Sequence, residues 1–187
     1  MDTKVILESL YYISKKAHKP IDKLAAIKLL FFADKYHLRK YGRLITEDTY
    51  YALPHGPVPS NSLDVINIVL AKEETGSDTV YIIASDNNQF IATDTDIELD
   101  YLSDTDKEAL DFCVDKFGHM EAWDLRNLTH EYPEWKRFKS TLEEQRTKRE
   151  RILMKDFFED SNLENDPYLE IPTRAVELSK SFYLGSF

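Results

Sequence analysis

The sequence KLLFFADKYHLRKYGRLITEDTYYALPHGPVPS, from Lys28 to Ser60, decides how this chain folds. It begins as an amphipathic helix whose inward face repeats every three or four residues: Leu24, Ile27, Phe31, Asp34 and Leu38. We expect this helix to stop at Gly42 and a strand to follow at residues 49–53. Residues 55–60 then form a turn whose two prolines and one glycine fix its backbone.

Asp34 stands out because it lies on the apolar face of this helix. A buried carboxylate is costly unless it is hydrogen-bonded or paired. One interpretation is that Asp34 ties the turn at residues 56–60 to the helix, or that it pairs with Arg39 or Arg43 at the surface. The other interpretation places Asp34 in a recognition or catalytic site. The spacing alone does not separate the two.

The length of 187 residues suits one domain, or one domain with a small appendage, and is enough to bury a proper hydrophobic core. The single cysteine, Cys113, excludes an intrachain disulfide framework and indicates a reducing compartment. Its neighbours in a predicted helix favour a packed, inert thiol. No apolar run is long enough to span a membrane, and residues 1–16 are amphipathic, unlike a signal peptide. We therefore expect a cytoplasmic protein with no membrane partner.

Charge is unevenly distributed along the chain, whose formal net charge is −10. Residues 73–111 contain twelve acids and one base, whereas residues 136–155 contain eight bases and three acids. The net charge disfavours general nucleic-acid binding, which depends on phosphate contacts. An acidic surface suits a basic protein partner, or it only keeps the protein soluble. The basic segment 136–155 is the best candidate for a mobile or partner-ordered element.

Periodicity and capping signals predict a mainly α fold with one small antiparallel sheet. The predicted helices are residues 3–17, 23–40, 60–72, 104–117 behind a Ser103–Asp106 capping box, 120–129, 149–160 and 173–183. The predicted strands are residues 49–53, 80–84 and 89–92, the last two forming a hairpin across residues 85–88 after a polar loop at 73–78. We expect residues 1–135 to form the core, with the basic segment, acidic tail and last helix of residues 136–187 packed on it.

The sequence offers few starting points for catalysis or cofactor binding. The five histidines form no His-x-x-x-His pair, and there is no second cysteine, phosphate-binding glycine loop or Gly-x-Ser-x-Gly elbow. We therefore expect no metal and no cofactor. One polar cluster could form an acid/base site if the fold brought it together, although a hydrogen-bonded scaffold is the alternative: Asp34, His37, Glu47, Asp48 and His55.

Tyrosines surround the central segment and have two interpretations. Tyr and Trp are frequent interface anchors, because they bury a large area at small entropy cost. The interface interpretation is stronger for Tyr36 and Tyr41, which lie among basic residues, than for whichever of Tyr50 and Tyr51 faces the core.

These residues also carry a family resemblance. Residues 28–42 resemble the signature helix of the Panacea domain, also called the SocA-like antitoxin domain. The resemblance continues through residues 45–50 and the Gly-Pro-Val-Pro-Ser sequence at 56–60. It resumes at residues 102–106, in Ala122-Trp123-Asp124-Leu125, and at residues 129–136, in the order expected for the family.

The resemblance implies a mainly helical antitoxin of a two-gene toxin–antitoxin module, which neutralises a cognate toxin protein by direct binding. It also implies an alternative, since the name-giving member is an adaptor that delivers its toxin to a protease. Many relatives add an N-terminal DNA-binding domain, which we do not see before the signature, so we expect no direct contact with nucleic acid. The family also resembles proteins of phages and mobile elements, for which defence is a plausible setting.

We predict that the partner binds the central segment, at Asp34, Tyr36, His37, Arg39, Tyr41, His55 and Pro57. On this hypothesis, Tyr36→Ala and Arg39→Ala weaken partner binding and leave the fold intact. A competing hypothesis of a different class is an acid/base enzyme centred on Asp34, His37 and His55.

Overall fold

The helix α2, Lys23–Tyr41, lies at the centre of the fold in a computed structural model that describes residues 2–71, 82–84, 88–94 and 96–185. Asp22 caps its start by accepting from the Ala25 amide at 2.9 Å, and Gly42 ends it with φ of 79°. Fifteen of its nineteen residues are buried. Because the helix is buried on all sides, its charged residues must find partners inside the protein.

Seven further α-helices occur in the described part of the chain: α1 (Thr3–Ala17), α3 (Ser60–Leu70), α4 (Asp104–Phe117), α5 (Ala122–Thr129), α6 (Pro133–Lys136), α7 (Lys139–Glu143) and α8 (Thr173–Leu184). The strands are β1 (Ile21–Asp22), β2 (Tyr50–Leu53), β3 (Gly56–Pro59), β4 (Ile82–Ala84), β5 (Gln89–Ala92) and β6 (Glu150–Arg151). The strands form two three-stranded antiparallel sheets, in the orders β1-β5-β4 and β3-β2-β6. The predicted fold class is confirmed, with two small sheets in place of one.

Several predicted elements match the structure closely. The helix α1 has the predicted bounds, and Ser103 and Asp106 form the predicted capping box at the start of α4. The hairpin pairs Ile82 with Ala92. The predicted residue 72, the loop at 73–78, strand residues 80–81 and turn residues 85–87 lie outside the described residues.

Residues 56–59 are a strand and not the predicted turn. They form β3, in which Val58 lies opposite Tyr51 of β2. The amide of Ser60 donates to the carbonyl of Thr49 at 3.0 Å. The backbone amides of the even-numbered residues of β3 therefore point toward β2, and those of the odd-numbered positions point away from it. Pro57 and Pro59 therefore turn their nitrogens, which carry no hydrogen, away from the ladder at the edge of the sheet.

The helix predicted at residues 149–160 is also wrong. These residues form β6 and then a 3₁₀ helix, Met154–Phe158. The amide of Ile152 donates to the carbonyl of Tyr50 at 3.0 Å, and Phe157 is fully buried. Pairing with β2 and burial of the phenylalanine together outweigh the local helical pattern. Further along, the Tyr168 hydroxyl donates to the carbonyl of Phe32 in α2. The division at residue 135 stays a prediction.

Candidate binding surface at the β2–β3 turn

Asp34 is a buried anchor for the chain that follows α2. Its Oδ1 accepts from the amides of Ile45 at 2.7 Å and Thr46 at 3.1 Å, and its Oδ2 accepts from the hydroxyls of Tyr50 at 2.8 Å and Thr46. Burial raises the pKa of this carboxyl to about 6, against the opposing effect of these hydrogen bonds. The predicted partners of Asp34 were the turn at 56–60, Arg39 or Arg43, and this prediction is wrong. The groups that bind Asp34 are neutral donors from residues 45–50.

His37 joins the end of α2 to the start of α4. Its Nδ1 lies 2.9 Å from the carbonyl of Arg43, and its Nε2 lies 3.0 Å from the Thr105 hydroxyl and 3.2 Å from Asp106. Burial lowers the pKa of the imidazole, which favours the neutral ring. These contacts give His37 a structural role.

Arg39 and Lys35 hold the C-terminal part of the chain against α2. Arg39 donates to the carbonyl of Phe157 at 3.1 Å and to the Asp160 carboxylate at 2.5 Å. Lys35 pairs with Glu134, and both side chains are buried. Arg39 is only 3 % exposed, so its burial argues against the expectation that it could be removed without affecting the fold, which stays a prediction.

Tyr36 and Tyr41 share one carboxylate. Both hydroxyls donate to Glu108, Tyr36 at 2.7 Å and Tyr41 at 2.5 Å, and Lys40 forms a salt bridge with the same group. Tyr36 is buried, with its ring stacked on Phe112 at a centroid distance of 4.2 Å, whereas Tyr41 is half-buried. Of this pair, Tyr41 presents more surface to a partner.

Pro57 rests on a buried lysine that sequence reasoning missed. Lys28 donates to the carbonyl of Pro57 at 2.8 Å, and neither residue is exposed. Gly56 has φ of 97°, and a Cβ there would lie 2.6 Å from the Thr129 hydroxyl and 2.9 Å from the ammonium of Lys28. Glycine is thus required by both conformation and space. The helical pattern could have revealed Lys28, because it adjoins the apolar face.

His55 and Trp123 form an exposed aromatic pair above this buried support. The two rings meet edge to face, with centroids 5.6 Å apart, and 60 % of Trp123 is exposed. The turn that carries His55 is fixed from α5 and α6: Arg126 donates to the carbonyl of Pro54 at 3.0 Å, and the Trp135 indole donates to that of Leu53 at 2.7 Å. An exposed tryptophan on a rigid support is typical of an interface anchor.

The site lies within the region that matches a known family. Residues 27–136 match the family model described as antitoxin SocA-like, Panacea domain. The chain belongs to this family. The matched region runs from α2 to α6 and contains Lys28, Asp34, His55 and Trp123. No curated protein and no solved structure matches the chain.

Within this Panacea domain, the proposed catalytic trio has no common site. The oxygens of Asp34 are occupied by four donors, His37 is bound to residues 43 and 105, and His55 lies at the surface beside Trp123. Acid/base work needs groups within reach of the same substrate atom. The arrangement of these three side chains does not provide this.

The described residues contain no group of three or more His, Cys, Asp or Glu side chains suited to holding a metal ion. Among the helices of the same residues, none combines the length and the apolar character that a membrane span requires. The thiol of Cys113 is buried and donates to the carbonyl of Leu29, and burial raises its pKa.

Proposed function

We propose that this protein is an antitoxin that neutralises a cognate protein toxin by binding it directly. The observation that carries the proposal is the match of residues 27–136 to the antitoxin SocA-like family. The complex would hold the toxin inactive by covering its active site or by fixing an inactive conformation. We further propose that it forms in the cytoplasm, which suits the single free thiol.

We propose that the contact surface centres on His55 and Trp123, with Tyr41 at a separate, half-buried position. The other predicted site residues then act from beneath the surface. Lys28 and Pro57 support the turn, and Asp34, His37 and Arg39 fix the chain around α2. A surface held in place before binding loses little conformational freedom in the complex, which favours affinity.

The test is co-expression with the product of the neighbouring gene, followed by a growth assay and co-purification. We expect the unsubstituted chain to restore growth and to co-purify with the toxin. Trp123→Ala should weaken binding by about 2 kcal/mol, roughly 30-fold, and His55→Ala by less, because buried Trp anchors dominate interfaces. Ile91→Ala is the matched control, since Ile91 is an exposed apolar residue of the other sheet.

The outcomes separate this function from its alternatives. Restored growth with a toxin that disappears unless a protease is deleted would indicate an adaptor. Absence of both toxicity and binding would overturn the proposal. Equal loss of binding in Trp123→Ala and Ile91→Ala would remove the His55–Trp123 surface from it.

A further inference from the structure

The strand β6 forms an open edge of its sheet among the described residues. Its pairing with β2 places Arg151 opposite Tyr51, and the Ile152 amide donates to the carbonyl of Tyr50. Successive residues of a strand direct their amides to opposite sides. The backbone amide and carbonyl of Arg151 therefore point away from β2, toward the surface.

Four exposed cations accompany this edge, and we call them the basic edge: Lys148, Arg149, Arg151 and Lys155. The other bases of residues 136–155 form salt bridges, for example Lys139 with Glu143 and Arg146 with Glu144. No residue of the basic edge forms a salt bridge with a carboxylate that the structure describes. Residues 148–155 contain these four cations and one acid, Glu150, so the basic edge forms a local positive field in a chain whose net charge is −10.

A groove of about 630 Å³ lies beside the basic edge. Arg151 and Lys155 line it together with three exposed apolar side chains: Leu153, 48 % exposed, Tyr183, 42 % exposed, and Leu184, 46 % exposed. Two acids also line it: Glu47, which is exposed, and Asp48, whose carboxylate accepts from the amides of Asn61 and Ser62. Tyr183 and Leu184 come from the end of α8 and line the same groove as Arg151. Large apolar side chains grouped at the surface next to exposed cations are typical of a binding site.

We propose that the basic edge and this groove form a docking surface for an acidic segment of the toxin that carries large apolar side chains. The proposal rests on the proposed function, which requires a protein partner. Carboxylates of the segment would pair with the basic edge, while its apolar side chains would cover Leu153, Tyr183 and Leu184. A nucleic-acid backbone fits this surface less well, because phosphates would leave those three side chains uncovered.

The docking surface also bears on which toxin is bound. The basic edge and the apolar residues Leu153, Tyr183 and Leu184 lie after residue 136, outside the part of the chain that matches the family, whereas the opposite wall of the groove, residues 43–50, lies inside it. The His55–Trp123 surface lies inside that part. We therefore assign selection among toxins to the basic edge and the groove, because complementary charge rejects wrong partners as well as attracting the right one.

The test is the affinity of the purified full chain for the product of the neighbouring gene, measured at low and high salt. Lys148→Glu with Arg151→Glu should weaken binding at least ~10-fold at low salt, and the difference should shrink as salt rises. Lys139→Glu with Arg146→Glu is the matched control, because it makes the same change in net charge at cations that already have acidic partners. This control should stay within about 3-fold of the unsubstituted chain.

A second variant tests the apolar part of the surface. Leu184→Ser should weaken binding ~10-fold without changing its salt dependence, because no charge is altered. Thermal unfolding of each variant establishes that the fold is intact. The substituted residues are exposed, so we expect their transitions to match that of the unsubstituted chain.

Each remaining outcome overturns the inference in a distinguishable way. If the charge-reversed chain binds the toxin as tightly as the unsubstituted chain, the docking surface is wrong and the antitoxin function stands. If the unsubstituted chain neither binds nor restores growth, both are wrong. If nucleic acid co-purifies with the unsubstituted chain and is lost on charge reversal, the surface binds nucleic acid instead.

Discussion

Two lysines of α2 are both buried, yet they are held in different ways. Lys35 pairs with the Glu134 carboxylate, and its ammonium also lies 4.8 Å from the centroid of the Tyr132 ring and 5.3 Å from that of Tyr168. Lys28 donates to the carbonyl of Pro57 and forms no salt bridge with the described carboxylates. One lysine thus joins α2 to α6 through an ion pair, and the other supports β3 through a neutral acceptor.

The difference shows in their protonation. Burial lowers the pKa of both, but for Lys35 the charge of Glu134 opposes this effect. For Lys28 no acid opposes it, and the charge of Arg126 adds to it, so its pKa falls to about 7. Lys35 therefore belongs to a structural ion pair, whereas Lys28 can lose its proton near physiological pH. Two lysines seven residues apart on one helix thus differ in whether a neighbouring carboxylate keeps them charged.

The largest effect should come from breaking the ion pair. Lys35→Met leaves the buried Glu134 carboxylate without its partner, and we expect a loss of about 3–5 kcal/mol in the free energy of unfolding. Combining it with Glu134→Leu should restore most of this loss, because no unpaired charge remains. Urea denaturation at pH 7 measures both variants. A double variant as unstable as Lys35→Met alone would mean that packing, and not charge, causes the loss.

The second largest loss of stability should come from a substitution at Gly56, where the chain packs against Lys28 and Thr129. Gly56→Ala adds a Cβ within 3 Å of Thr129 and Lys28 at a φ of 97°. Backbone strain and overpacking together should cost about 2–4 kcal/mol. Gly185→Ala is the control, because its φ is also positive, 67°, but no atom of the described residues, its chain neighbours aside, lies within 4 Å of its added Cβ.

Gly185→Ala should lower the free energy of unfolding by at most about 1 kcal/mol, because only backbone strain acts there and it acts at the end of a helix. Urea denaturation again gives both values. Equal losses at the two glycines would show that the contacts with Lys28 and Thr129 are unimportant.

The parts of the fold that were predictable depend on local signals. Gly42 and the Ser103–Asp106 box set helix ends through backbone freedom or their own side chains, and they lie where the sequence placed them. Residues 56–59 were misassigned because two prolines and a glycine are typical of a turn, although an edge strand also accepts proline. Residues 149–160 were misassigned because β6 pairs with β2, which is distant in sequence. Local propensity cannot report a strand partner a hundred residues away.

The candidate site shows the same division. The sequence identified Asp34 as buried and in need of partners, but it could not name Ile45, Thr46 and Tyr50 as the donors. Trp123 was noticed only through the family resemblance, because a single tryptophan at a helix start gives no sign of its exposure. Lys28 was missed because lysines usually lie at the surface.

Near pH 7 Lys28→Met should have the smallest effect of these substitutions, and its sign should depend on pH. The pKa of Lys28 is about 7 in the folded chain and about 10.4 in the unfolded chain. Between these values only the unfolded chain binds the proton, so stability of the unsubstituted chain rises with pH across this interval. At pH 6 the buried charge is present in full, and we expect Lys28→Met to be at least as stable as the unsubstituted chain.

From pH 7 to pH 10 the free energy of unfolding of the unsubstituted chain should rise relative to that of Lys28→Met, because the lysine is neutral in the folded chain and still donates to Pro57. Urea denaturation of both proteins at pH 6, 8 and 9.5 measures this gap, and titration of all other groups cancels in the difference. A gap that stays constant over this range would mean that Lys28 remains charged beneath the turn. The carbonyl of Pro57 would then be as sufficient a partner for a buried ammonium as the carboxylate of Glu134.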